Sequence, residues 1–224
     1  MPDGRFAAIV AGDPYAVPLD LATAEIAAAL RPQVEPSSVL AGLDELAAAC
    51  AEDTAEGIAR FLFGEDGFRG NQASYYDWRN SCLDQVLERR RGIPITLSIV
   101  FIEVARRRGV ALHGVGMPAH FLVGVTGSPG RFFDPFHGPG ELDADGAKAL
   151  LRRVTDGGIE WHDGYLAPIA NRHVVIRVLN NLRSIFAGEE DELRLAVVSR
   201  LRAAVPELAA TESAALDRSI ARLN

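Results

Sequence analysis

Residues 94–105, PITLSIVFIEVA, carry apolar side chains on nearly every face of the helix that their spacing predicts. Pro94 suits the first helical position, where a missing N–H leaves nothing unpaired, and the arginines at 106–108 close the run against the negative end of the helix dipole. A helix without a polar stripe has to be covered all round. Glu103, the one acid inside it, needs a partner, and Arg107 stands one turn on.

The rest of the chain supplies the cover. Residues 19–62 are rich in Ala and Leu at helical spacing and read as two or three helices, with Cys50 continuing the apolar stripe of Leu43, Leu46 and Ala47 as a core thiol. FLFGEDGFRGNQASYYDWRNS, 61–81, breaks that periodicity with three glycines and an aromatic cluster, a pattern that pins a loop to a core or offers a platform to a ligand. Ser81-Cys82-Leu83-Asp84 has the shape of a capping box opening a helix to about Arg91. Strands are expected at 110–116, 120–125 and 131–135, the last two joined by the turn TGSPG, and a short helix around 143–153. After Pro168 come IANRHVVIRVLNNLRSIFA, DELRLAVVSRLRAAV and ESAALDRSIARL, three helices with short connections. The fold class is therefore α+β: a helix-rich N-terminal part, a small antiparallel sheet on a buried central helix, and a C-terminal helical array. The division is expected at residues 1–165 and 166–224.

Two polar groups sit in the apolar strands. His120 opens HFLVGV and Asp134 lies in FFDPF, and burying either without a partner costs several kcal/mol, roughly 2–7 by transfer estimates. If Val125 pairs with Arg131 across the hairpin, Leu122 faces Asp134 and His120 becomes its diagonal neighbour. An imidazole held by a carboxylate is the base-and-orienter half of a nucleophilic triad.

Charge and cysteine content narrow the function. A net charge of −7 repels phosphate backbones, and the arginine runs at 89–91 and 106–108 serve as helix ends, so no nucleic acid is expected as a partner. Lys148 is the only lysine among 23 basic residues, which argues against the chain offering its own amines to an acyl donor. No leader pattern or membrane span is evident, which places the chain in the cytoplasm, and two cysteines make no disulfide framework. No cofactor is expected, and no metal. Asp134, His137 and Glu141 are conceivable ligands, but the GPG between the last two reads as a turn.

RGIPITLSIVFIEVARRRGV, PAHFLV and FFDPF together resemble the transglutaminase-like core, a relative of the papain-like cysteine proteases. The longer run from FLFGEDGFRG through GVGMPAHFLV to RVLNNL resembles the bacterial SirB-type branch, in which tetratricopeptide-like helices follow that core. The resemblance implies that His120 and Asp134 are the histidine and aspartate of a triad. It also implies a cysteine two residues after Gly92, where this chain has Pro94. Substitutes are Cys82, in the first turn of the preceding helix, and the hydroxyls of Thr96 and Ser98, for which the structural alternative is to satisfy free backbone groups. Two functions follow. One is a binding module that grips a peptide or protein segment, with Asn80, Tyr76, Trp78, Thr96, Ser98 and His137 lining its groove. The other is a cysteine-type amide hydrolase or acyl transferase using Cys82, His120 and Asp134.

Overall fold

The structure, a computed structural model, describes residues 2–65 and 67–212. Four helices lead: α1 (Pro2–Val10), α2 (Leu19–Leu30), α3 (Pro36–Ala49) and α4 (Ala55–Phe63). The first was not anticipated, and it is held by burial of Phe6 and Val10. The glycine-punctuated loop then carries β1 (Arg69–Gly70) and a 3-10 turn (Trp78–Ser81) before α5 (Leu83–Arg89) and β2 (Arg91–Gly92), which pairs in parallel with β1. The capping box is corrected: Cys82 is the N-cap of α5 and makes no side-chain cap, while the Ser81 hydroxyl is buried without a partner.

The central helix α6 spans Pro94–Arg107, and all twelve of its first residues, Pro94 to Ala105, are buried. It meets α2, α3, α4, α5 and α8 (Asn171–Gly188) on its flanks and the sheet on another side. That enclosure explains the absence of a polar stripe. Burial of each large apolar side chain here contributes roughly 1.5–3 kcal/mol.

The sheet is antiparallel in the order β3 (Leu112–Val115), β4 (Leu122–Val125), β5 (Phe132–Phe133), β6 (Glu141–Leu142). Side chains alternate between its faces. Phe121, Val123 and Phe133 join the main core with α6, whereas Leu122 and Phe132 join a second cluster with Leu150 and Leu151 of α7 (Ala144–Val154). The fourth strand was not anticipated, because a two-residue ladder leaves no alternation to read. The main core continues into α8 and α9 (Glu192–Ala203) through Val174, Leu182, Val198 and Leu201. The last expected helix lies outside the described residues except for its first, Glu212, which ends a helical turn over 209–212.

Polar groups at the C-terminal end of α6 form one network. Glu103 accepts from Arg106 and Arg107 at 2.8 and 2.9 Å, and both arginines also reach Asp20 of α2. Burial alone would raise the Asp20 carboxyl, but the hydrogen bond and charge of Arg107 hold it below the ordinary value. Burial and then the neighbouring Asp20 charge push Glu103 up instead. The negative charge is thus favoured at Asp20 and costly at Glu103. Asp20→Asn should lose about 1–3 kcal/mol in urea unfolding at pH 7, and Glu103→Gln less than about 1 kcal/mol. The reverse order would show that Glu103 is the anchoring charge.

Candidate functional site

The hairpin has the simple register. Val123 faces Phe133, Gly124 faces Phe132, and the Val125 N–H donates to the Arg131 carbonyl at 3.2 Å. Continued past the strand ends, this register brings His120 Nε2 to 2.9 Å from Asp134 Oδ1, both groups being buried.

Asp134 holds more than the expected pair. His137 Nδ1 lies 2.6 Å from its Oδ2, and the Phe136 N–H donates to Oδ1 at 3.1 Å. The carboxylate is gripped between two imidazoles whose ring centroids are 5.6 Å apart. Burial by itself would raise the Asp134 carboxyl, but the hydrogen bond and charge of His120, then those of His137, hold it below the usual carboxylate range. A Cβ at Gly70 would stand 2.6 Å from Phe136, so the loop needs glycine where it passes the site.

The histidine is presented by a strained turn. Ala119 has φ +56°, a left-handed conformation that a non-glycine residue seldom adopts, and the His120 N–H closes on the Met117 carbonyl. Arg177 of α8 clamps this turn by donating to the carbonyls of Met117 and His120 at 3.2 and 2.8 Å, with its guanidinium over the Phe121 ring. Arg177 was missed as a site residue, although it lies in RVLNNL, the one C-terminal stretch that the family resemblance had singled out.

Cavities flank the two imidazoles. One, of about 200 Å³, is lined by His120, Tyr75, Arg177, Asn181 and the first turn of α6, including Pro94. The other, of about 580 Å³, runs past His137, Phe136, Gly70 and Gln72 to Phe63 and Phe68. Pro94 is therefore beside His120, at the position where the resemblance implies a thiol.

The remaining candidates fall into distinct places. Cys82 has no accessible surface, and burial, with the nearby Asp84 charge, pushes its thiol far above the ordinary range. Asn80 is buried and spends its side chain on Asn71 and on the carbonyls of Ser74 and Tyr75. Thr96 donates to the Asn80 carbonyl at 2.7 Å and accepts from the Ile93 N–H, which ties the start of α6 to the same loop. Ser98 is buried with no partner for its hydroxyl. Trp78 packs on Phe186 under Arg194, whereas Tyr76 stands 77% exposed against Tyr75. Glu141 is drawn away from Asp134 by Arg131, and it is His120 that completes the group of possible metal donors with Asp134 and His137, all within 4.8 Å of one another. In this structure those donors are occupied by hydrogen bonds to each other.

Because the Asp134 carboxyl is held low, its contribution to stability is complete above the ordinary carboxylate value. It is lost as pH falls through the lower value of the folded state. Asp134→Asn should cost about 1–3 kcal/mol at pH 7 and flatten the acid limb of the stability profile. An unchanged acid limb would show that the two imidazoles do not anchor this carboxylate.

Comparison with known proteins identifies the superfamily. A UPF0162 protein of Xylella fastidiosa (strain 9a5c) is 43% identical over 136 residues, 58% of this chain and 48% of that protein. One from Pseudomonas aeruginosa is 30% identical over 177 residues, 75% of this chain and 64% of its own length. The F-box only protein 21 of Mus musculus is 40% identical over 137 residues, 58% of this chain and 21% of that protein. The chain spans about half the length of the first of these relatives. No solved structure matches it. Among the described residues no helix is long and apolar enough to cross a membrane. The family model of the transglutaminase-like superfamily matches residues 20–180, from the start of α2 to the Arg177 clamp, and the chain belongs to that superfamily.

Proposed function

We propose that this chain is a transglutaminase-like domain that has lost the usual catalytic cysteine and acts in the cytoplasm as a module gripping a peptide or protein segment. The reading rests on one observation: Pro94 lines the same cavity as His120, while the nearer cysteine in sequence, Cys82, is sealed in the core. A thiol attacks as thiolate, and a thiol raised by burial supplies almost none at neutral pH. Proline offers no nucleophile at all. What remains is a hydrogen-bonded dyad between two cavities, with the exposed Tyr76 ring against Tyr75, which lines the smaller one. The larger cavity falls within the roughly 300–1,000 Å³ typical of ligand sites.

One further observation supports a module. The matching segment covers only 21% of the mouse F-box only protein 21, so it recurs inside chains of very different length. We read residues 1–165 as the core and 166–224 as the tail, with α8 and α9 as the start of a tetratricopeptide-like array of the SirB-type branch, whose helices add a second surface.

The test has two arms. Iodoacetamide should leave Cys82 unlabelled in the native chain up to pH 9 and label it on unfolding. Peptides selected from a random display library on the wild type should bind roughly 10-fold more weakly to Tyr76→Ala and His137→Ala, the loss expected for one good contact of about 1.4 kcal/mol. Hydrolysis or acyl transfer on peptide amides that disappears in Cys82→Ala would overturn the reading.

A further inference from the structure

The small cavity beside His120 carries an unanswered charge. This acidic chain gives its interior arginines a carboxylate: Arg107 meets Asp20 and Glu103, Arg172 meets Glu207, and Arg202 meets Glu212. Arg177 meets none among the described residues. Only its Nη2 is engaged, by the two backbone carbonyls of the His120 turn, which leaves Nε and Nη1 without an acceptor there. Partial burial pushes the guanidinium down from its ordinary value, the physical signature of a cation that lacks a counter-charge.

The other walls suit an anion. The first turn of α6, Ile93 to Ile95, brings the positive end of a fourteen-residue helix to the same space. Tyr75 and Asn181 line it with a phenol and an amide, and burial and the adjacent Tyr76 raise the Tyr75 phenol, keeping it a neutral donor. At about 200 Å³ the space is below the range for a whole ligand and accepts a single functional group.

We infer that the cavity formed by Arg177, Tyr75, Asn181 and the start of α6 is a carboxylate subsite, which receives one carboxylate of the peptide held in the cleft. The inference rests on the peptide-binding reading above and names the group that the cleft selects. With Nη2 spent on the two carbonyls, a carboxylate is received through one remaining N–H of Arg177 as a single charge-assisted contact, supplemented by the Tyr75 phenol and the Asn181 amide. The carboxylate is either a chain terminus or an acidic side chain, both of which present the same planar anion.

The experiment follows the Arg177 Nε–H by NMR in the wild-type chain, its signal assigned by loss in Arg177→Lys. Four probes are titrated: acetyl-Ala-Ala with a free C-terminus, acetyl-Ala-Ala-amide, acetyl-Glu-Ala-amide and sodium acetate. The free acid or the Glu peptide should shift the signal saturably, and the uncharged amide should bind at least about 10-fold more weakly. Which of the two acts distinguishes terminus from side chain. Arg177→Met, followed at the backbone amides of Tyr76 and His120 because the Nε–H is gone, should lose the difference between acid and amide. Should that variant unfold because its clamp is gone, Asn181→Ala and Tyr75→Phe read the same discrimination. Equal shifts by acid and amide peptides at Tyr76 and His120, with no preference for charge, would overturn the carboxylate subsite and leave peptide binding intact. Acetate binding at Arg177 without binding of any peptide would support the subsite and sink the peptide reading.

Discussion

Everything in this fold is arranged around a helix that tolerates no water on any side. α6 buries its first twelve residues, so five helices and a sheet have to converge on it, and its ends are the only places where polar chemistry can reach it. At the C-terminal end, arginines emerge and are tied to α2 through Asp20. At the N-terminal end, the helix start meets the His120 turn and the loop of Tyr75. The candidate site lies there for a packing reason before any chemical one.

That start is fixed by clamps that do not involve a nucleophile. Thr96 ties the Ile93 N–H to the Asn80 carbonyl, Asn80 holds the backbone of Ser74 and Tyr75, and Arg177 holds the two carbonyls of the His120 turn. Proline at the first helical position leaves no N–H to satisfy. Pro94 therefore suits the start of this helix on packing grounds alone.

Much of this was legible in the sequence because it depends on short-range periodicity. The all-round apolar run marked the place of α6, and the five-residue turn admitted the simple hairpin register, in which His120 and Asp134 meet as they do in the structure. Glu103 met Arg107 as the one-turn spacing implies. Contacts set by tertiary packing were not legible. Nothing in GPGEL marks a strand, the Cys82 cap arises because a 3-10 turn runs directly into α5, and Arg177 reaches the His120 turn across 57 residues. His137 was visible as a candidate, but its grip on the far carboxylate oxygen depends on the bend after Asp134, where the N–H groups of His137 and Gly138 both return to the Asp134 carbonyl.

The energetics of the cleft also bear on what it is for. Ala119 in a left-handed conformation costs on the order of 1–3 kcal/mol, and a partly buried guanidinium without a carboxylate costs more than a solvated one. Each cost is local and is offset by the surrounding core, as the packing of Phe121 and Phe133 against α6 permits. Both fall on the same small cavity. A core organised for stability alone would relax the turn and give Arg177 an acid, as it does for Arg172 and Arg202. Stored strain and a cation without a carboxylate on the walls of one space are what a preorganised subsite requires, since a group already fixed in place needs no ordering when the anion arrives.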